Sequence, residues 1–414
     1  MLVIDNENVV KKIESCCRTW RIWLEDVKSG AVIMGDSVFS ASSTAQSTSL
    51  SDDIELGAVC SAQFTVSIYD TNGGNYLGRE FALSLYLKEF DAPPATYADL
   101  HRFTYGNLSS LTAEQIKQLG EIIGGCLIPM GRFVCVRSKR IDDTCDLTLC
   151  DKLYFADKEY VQTAASSRDA MWIEREICAK LGIPNGINYS DRSYLSESSG
   201  KKLFAGGKRL KTRSYKFSMD NIPKGTTMRQ VLGYIASANG QFGMIDRYGR
   251  YVRKWYGSPV KLLDNNTINF PTLSEQANTV VGLICHISED NTLSTGDVTG
   301  RTGRMIEFDN PFMTEELFES LWHRLKGMTW HTAEIDQRLG DPRLDVGDVV
   351  VYSDGKNSYN IPITNQSYTY DGGLSCTLKA VGIRELYMDC NIHAVVRSNS
   401  LSSGEFKEVI IKNF

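Results

Sequence analysis

The stretch G340-DPRLDVGDVVVYSDGKNSYNIPITNQSYTYDGGLSCTLKAV-G382 decides the fold class. Its apolar residues come in short runs of β-branched and aromatic type. Those runs are separated by Asp-Gly, Asn-Ser and Asp-Gly-Gly clusters that favour turns. The pattern predicts four short strands in succession. Working outward from it, the 414-residue chain divides into blocks by period.

The first block, 1–157, reads mostly as strands. Trp20-Arg-Ile-Trp-Leu-Glu-Asp26 and Gly30-Ala-Val-Ile-Met34 form a hairpin turning at Lys28, Ser29 and Gly30. In the next strand Ala62, Phe64, Val66 and Ile68 alternate with Gln63, Thr65 and Ser67, which places the apolar set on one face. A helical insertion near 91–125 carries Thr112 and Gln115 at capping-box spacing and an Ile116, Leu119, Ile123 stripe. A further hairpin turns at Asp142-Asp143.

The period changes over 158–258. Ile173, Ile177 and Leu181 recur at helical spacing, with Gly182 as the stop. A second helix presents Val231, Leu232, Ile235 and Ala238 and ends at Gly240. A small hairpin follows over Tyr248-Gly249. The third block, 259–384, returns to strands, interrupted by a helix near 313–327 between Thr314 and Gly327. Residues 385–414 form a C-terminal extension ending in Glu405-Phe-Lys-Glu-Val-Ile-Ile-Lys-Asn-Phe414, apolar enough to seek a strand partner. The two strand-rich blocks echo each other. Ile128-Pro129 and Ile361-Pro362 each precede a strand, an acidic turn, and the similar runs Thr144-Cys-Asp-Leu-Thr-Leu-Cys150 and Leu374-Ser-Cys-Thr-Leu-Lys-Ala380. The expected architecture is α+β and mainly β: two β-barrels flanking a small mixed, helix-containing domain.

Hydrophobic residues make up 42% and charged residues 23%, the balance of a globular chain rather than a disordered one. A net charge of −5 argues against nucleic-acid binding over the whole surface. The 11 cysteines are irregularly spaced and include no CxxC pair, so they read as reduced core thiols of a protein made in a cytoplasm. The Cys16/Cys17 and Cys145/Cys150 pairs have nothing nearby to make them redox-active. Met1–Cys17 shows no basic stretch followed by an apolar run, and no apolar run reaches membrane length.

Each candidate for chemistry also has a plainer reading. Cys285 and His286 are a possible nucleophile–base pair, but neighbours on a strand point to opposite faces. His323 and His331 lie near Glu315, Glu316 and Glu319, without the two histidines that an HExxH zinc helix needs. Asp52/Asp53 and Asp142/Asp143 could serve as paired carboxylates, yet both sit where turns are expected. The glycine clusters do not open helices after strands, so they read as turns. Lys201–Lys216 holds seven Lys/Arg and no acid; within it Lys208, Arg209, Lys211 and Arg213 are candidate contacts for nucleic acid or an acidic protein, against the plainer reading of a flexible solvated loop. Trp255, Tyr256, Tyr368 and Tyr370 could stack on sugars, or simply pack across strands. No catalytic, metal or cofactor site emerges.

Gly340–Val350 followed by Ile361–Ala380 resembles the second barrel of bacteriophage tail hub proteins, the baseplate-hub or tail-associated central-tip family of Gram-positive phages and prophages. Ile54–Asp70 with Leu77–Leu87 looks like its N-terminal barrel, Ile128–Tyr160 like the completion of that barrel, and Thr226–Val252 like its middle module. The matches run in order from about Trp20 to Gly382; the 91–125 insertion is longer than the family pattern, and the extension after Gly382 matches nothing in it. The resemblance implies two tube-like β-barrels flanking the middle domain, and a non-enzymatic virion component needing no cofactor. It would be a trimer whose six barrels meet a hexameric tail tube or distal-tail ring on one side and a trimeric spike or central fibre on the other. Tape-measure protein and DNA would pass through its channel without specific binding. Val409, Ile410, Ile411 and Phe414 would then be candidate contacts for a neighbouring tail protein. The rival readings are a tail-associated cell-wall hydrolase and a carbohydrate or host-surface binding module.

Overall fold

In the computed structural model the described residues are 1–15, 18–34, 37–51, 53–71, 73–88, 125–161, 167–187, 216–218, 222–264, 268–269, 271–274, 276–337 and 339–382. The helical insertion expected within 91–125, the basic segment from Lys201 to Arg213 and the extension 385–414 lie outside them. So do the candidate contacts Lys208, Arg209, Lys211, Arg213, Val409, Ile410, Ile411 and Phe414.

The strands run β1 Trp20–Asp26, β2 Val32–Met34, β3 Val38–Ser47, β4 Gln63–Tyr69, β5 Glu80–Lys88, β6 Gly125–Ile141 and β7 Thr144–Cys150. They continue with β8 Ser167–Asp169, β9 Lys216–Ser218, β10 Phe242–Ile245, β11 Tyr251–Lys254, β12 Pro259–Leu263, β13 Thr272–Leu273, β14 Asn278–Ser288, β15 Asn291–Gly296 and β16 Arg304–Asp309. The last six are β17 Thr329–Trp330, β18 Ala333–Gln337, β19 Val349–Ser353, β20 Ser358–Pro362, β21 Asn365–Tyr370 and β22 Leu374–Ala380. The α-helices are α1 Glu7–Glu14, α2 Ala170–Leu181, α3 Met228–Ala238 and α4 Glu315–Leu325.

The chain is mainly β, as the sequence predicts, but the two strand-rich blocks do not make two closed barrels. They share one eleven-stranded sheet in the order β13-β18-β22-β21-β3-β4-β7-β6-β5-β1-β2. Among the described residues this path is open, with β13 and β2 at its ends. The seam between blocks is the antiparallel pairing of β21 with β3, which matches Asn365 to Ser47 and Thr369 to Ser42. The echoing hairpins β6–β7 and β21–β22 lie on either side of the β3–β4 pair.

The four strands of Gly340–Gly382 all form, but not as one ladder. β19 and β20 join β12 in a three-stranded sheet, whereas β21 and β22 enter the large one. The crossing is at Ile363-Thr364, both fully buried. There Ile363 N–H donates back to Asp348 O and Thr364 N–H donates across to Lys379 O, each at 2.8 Å. Pro362, with no N–H of its own, ends β20 just before the switch.

One core fills the inner face of the large sheet. Phe64, Val66 and Ile68 of β4 and Leu147 and Leu149 of β7 meet Leu344, Val346, Tyr368 and Leu378 of the third block. Val350 and Ile361 of the small sheet and Val9 and Ile13 of α1 close it. Each such aliphatic side chain contributes about 1.5–3 kcal/mol on burial. A second core gathers Ile173 and Ile177 of α2, Val231, Leu232 and Ile235 of α3, and Leu317 and Leu321 of α4. Leu283 and Cys285 of β14 and Trp330 join them. Packing therefore runs across the sequence blocks: 278–330 sits with the middle helices, and 333–380 with the first strands.

The helix ends follow the expected chemistry. Gly182 caps α2 in the left-handed region at φ 63°. Thr227 and Gln230 form a reciprocal capping box on α3, and Thr314 accepts Leu317 N–H at the start of α4.

Candidate interaction surface

The residues opposite the core form the outer face of the large sheet. Because strand side chains alternate, burial of Val66, Leu147 and Cys376 forces their neighbours outward. Register lines those neighbours into rows. One row crosses six strands: Ser375, Thr369, Ser42, Thr65, Thr148 and Arg137 are successive pair partners on β22, β21, β3, β4, β7 and β6. A second runs Ser40, Ser67, Asp146, Lys139. A third runs Ser367, Thr377, Asp336. All of these residues are exposed or half-buried.

Short hydroxyls dominate, and the charges balance. Lys379 pairs with Glu334 at 2.9 Å and Lys139 lies opposite Asp146, whereas Arg137 on β6 and Asp336 on β18 stand six strands apart. Asp146 accepts Ser67 Oγ at 2.6 Å, and Asp336 accepts Thr377 Oγ1 at 2.8 Å. At the end of this face Phe39 and Tyr69 pack with ring centroids 4.9 Å apart; Tyr69 is 54% exposed and Ile141 of the adjoining hairpin 53%. Beside them Arg140 clasps Asp70, and those hydrogen bonds outweigh the effect of burial to hold the carboxyl below its ordinary range.

A different apolar edge lies on the three-stranded sheet. In β12, Leu263 points inward and Lys261 reaches Asp341 at 2.6 Å, which leaves Val260 and Leu262 on the outside, Leu262 63% exposed. Behind it is a buried ion pair, Arg343 to Asp341 at 2.8 Å, and Arg343 also reaches the exposed Glu14 at 2.9 Å.

The chemical candidates resolve one by one. Cys285 is buried, and burial pushes its thiol up to about 12, away from the thiolate. His286 points the other way, between Thr292 Oγ1 at 3.0 Å and Glu307 Oε1 at 2.7 Å, so the two do not form a dyad. His323 and Glu319 occupy the solvent face of α4. His331 Nδ1 lies 3.1 Å from Ser274 O, its ring edge-on to Tyr359. Asp142 takes the left-handed turn position at φ 51°, and Asp143 O accepts Asp70 N–H at 2.7 Å. Asp53 pairs with Arg304. Tyr368 and Tyr370 are buried rather than presented to a sugar; Tyr370 donates its hydroxyl to Trp20 O at 3.2 Å. Trp255 and Tyr256 pack on Phe242, and the Tyr256 hydroxyl meets Thr48 Oγ1 at 2.7 Å. Among the described residues no three His, Cys, Asp or Glu side chains gather as a metal site, and no helix is long and apolar enough to cross a membrane.

The hydroxyl rows were not singled out from the sequence. Their polar half of the alternation is visible there, in Ser40 and Ser42 or Thr65 and Ser67. Which strands lie side by side is not.

No protein-family model matches the chain, and no curated protein matches it. In structure it is similar to the tail protein from Neisseria meningitidis MC58, at 11% identity over 88% of this chain and 97% of that one, with a TM-score of 0.49. It is also similar to the 43 kDa tail protein of prophage MuSo2 from Shewanella oneidensis (12% identity, 87% and 97% covered, TM-score 0.45). A third likeness is to prophage tail protein gp18 from Listeria monocytogenes EGD-e (9% identity, 91% and 98% covered, TM-score 0.44).

Proposed function

We propose that the chain is a structural hub of a phage tail tip or baseplate, acting by assembly rather than catalysis. Three copies form a pseudo-sixfold adapter between a hexameric tail-tube or distal-tail ring and a trimeric spike or central fibre, within the virion. The conduit for tape-measure protein and DNA runs through its centre.

The observation that carries this reading is the β3–β21 seam. It joins the two echoing strand blocks into one wall, with a hairpin of similar sequence on each side of β3–β4. A subunit built this way presents two related wall segments, which is what turning threefold into pseudo-sixfold symmetry requires. Among the described residues β2 and β13 have a strand partner on one side only, and a neighbouring subunit's strand could continue the wall there. The sequence resemblance, in order from Trp20 to Gly382, supports the same assignment.

The division into 1–157, 158–258, 259–384 and 385–414 belongs to this proposal. So do the assigned contacts: Lys208, Arg209, Lys211 and Arg213 for an acidic partner, and Val409, Ile410, Ile411 and Phe414 for a neighbouring tail protein. Alanine substitution of each set, followed by pull-down of co-expressed tail proteins, tests them; unchanged capture contradicts the contact. The hub reading is tested by electron microscopy of the purified full chain and of its complexes with those proteins. Threefold rings with a central hole support it. Monomers under all conditions, together with turnover of cell-wall peptidoglycan, support the hydrolase instead.

A further inference from the structure

We propose that β12 is the docking site for a segment of the chain's own C-terminal extension, Glu408–Lys412, which adds to it as a further strand. The inference does not need the hub reading. Where that reading holds, docking on β12 and contact with a neighbouring tail protein are alternative uses of Val409 and Ile411, and docking is the form taken by the free chain.

The edge itself comes first. β12 pairs with β19 on one side only, in the sheet order β12-β19-β20. An edge strand offers backbone donors and acceptors to a strand that fits beside it. Val260 is 36% exposed and Leu262 63%, both on the outer face. Among the described residues, no other strand at the end of a sheet carries an exposed large apolar side chain. β20 turns Ser358 and Asn360 outward, β15 shows Asn291, Thr292 and Ser294, and β2 buries Val32 and Met34.

The occupant follows from pattern, charge and reach. Glu408-Val-Ile-Ile-Lys412 matches the five residues of β12 in length. With strand alternation Val409 and Ile411 share a face, where they lie beside Val260 and Leu262 as apolar cross-strand neighbours. Glu408 then falls on the face of Lys261. Cations gather there. Lys261 and Arg343 both bond Asp341, and Arg18 lies within electrostatic reach of the same carboxylate. Among the described residues the buried Arg18 Nε has no hydrogen-bond partner. A further carboxylate suits that excess of positive charge.

Reach favours the chain's own segment over that of another copy. Gly382 packs against Trp330, whose Nε1 donates to Val381 O at 2.9 Å. The next residue, His331, donates its N–H to Asn360 O of β20, also at 2.9 Å. The described chain therefore ends at the opposite edge of the same three-stranded sheet, about 10 Å from β12 at the usual strand spacing. Residues 383–407, at up to about 3.4 Å each, reach several times that far. A tethered segment also meets its own sheet at a higher effective concentration than a separate copy supplies.

The test is cross-linking in the full-length chain. Leu262→Cys is combined in turn with Val409→Cys, Ile410→Cys and Ile411→Cys. After mild oxidation, peptide mapping separates the engineered link from those of native thiols. A link within one chain at Val409→Cys or Ile411→Cys, severalfold above that at Ile410→Cys, is the expected result. Equal yields at all three positions contradict a paired strand. Links found only between chains make a second copy the occupant and overturn the assignment, as does the absence of any link.

A second readout needs no added cysteine. Val409→Asp/Ile411→Asp changes no residue of either core, and should speed hydrogen exchange of the β12 amides severalfold. Unchanged exchange at β12 contradicts the docking.

Discussion

The hydroxyl of Ser43 accepts the backbone N–H of Tyr368 at 2.7 Å, although 325 residues separate the two. At this point the β3–β21 register slips between Gln366 and Thr369, and a side chain takes the place of a ladder partner. At this slip, between the ladder pairs on either side, one buried serine closes the seam. Ser43→Ala leaves the Tyr368 N–H without its acceptor and should cost about 1–3 kcal/mol. Urea denaturation checks this: a reduced midpoint with an unchanged slope is expected, and an unchanged midpoint contradicts the role given to Ser43.

Arg247 ties the β10–β11 hairpin to both strand blocks. It donates to Asp345 Oδ1 at 2.7 Å, to Leu344 O at 2.8 Å and to Pro129 O at 3.1 Å. Arg247 is 9% exposed and Asp345 15%. Removing one partner of such a pair costs about 3–5 kcal/mol, because the other charge is left buried. Arg247→Ala is expected near that range. Arg247→Lys should recover only part of the loss, since a single ammonium cannot reach three acceptors in a planar fork. Full recovery by lysine in a thermal melt contradicts the fork.

Gly233 in α3 crosses the backbone at Gly57. A Cβ there would stand 2.6 Å from Gly57 O, which is main chain and has no flexible end to move aside. Helix propensity alone favours Gly233→Ala by about 1 kcal/mol. The crossing predicts the opposite sign, a lowered melting temperature; a raised one would show that the two segments can separate.

Two buried carboxylates bend stability with pH in opposite directions. Burial pushes the Asp341 carboxyl up, but hydrogen bonds from Arg343 and the Lys261 charge outweigh it and hold it at about 2. Its contribution is present above the unfolded value of about 3.9 and is lost as pH falls toward 2. Asp341→Asn should lower stability at neutral pH and flatten the acid limb. An unaltered acid limb contradicts the account.

Asp151 is the reverse case. Burial, stronger than the hydrogen bonds from Ala62, Ser61 and Leu153, raises its carboxyl to about 6. The folded state then binds more protons than the unfolded one between about pH 4 and 6, so stability falls as pH rises through that window. Asp151→Asn should remove this component from a stability profile across pH 4–7. A slope identical to that of the unsubstituted chain contradicts it.

Much of the local structure was legible because local rules governed it. Gly182 and Thr314 bound their helices by capping chemistry alone, and the Phe64, Val66, Ile68 alternation gives the inner face without tertiary knowledge. That Cys285 and His286 face opposite ways followed from the period of a strand. What was not legible depends on strand order. Tyr370 reaching Trp20, or Thr369 lying beside Ser42, requires two segments more than 300 residues apart to be neighbours. Period-2 patterning fixes a face but names no partner. For the same reason the two blocks read as separate barrels, and the Gly340–Gly382 strands as one ladder, when Pro362 and Ile363 divert the chain from one sheet to another. The outer hydroxyls gave half of the interaction surface in each strand, and the register supplied the rows.

The most direct test of the hub account is the mass of the purified full chain, measured by native mass spectrometry over a range of concentrations and with co-expressed tail proteins. The account predicts a species at three times the 46.2 kDa chain, alone or within a larger complex that holds three copies. A chain that remains a monomer in every mixture, or enters complexes only as one or two copies, would contradict it.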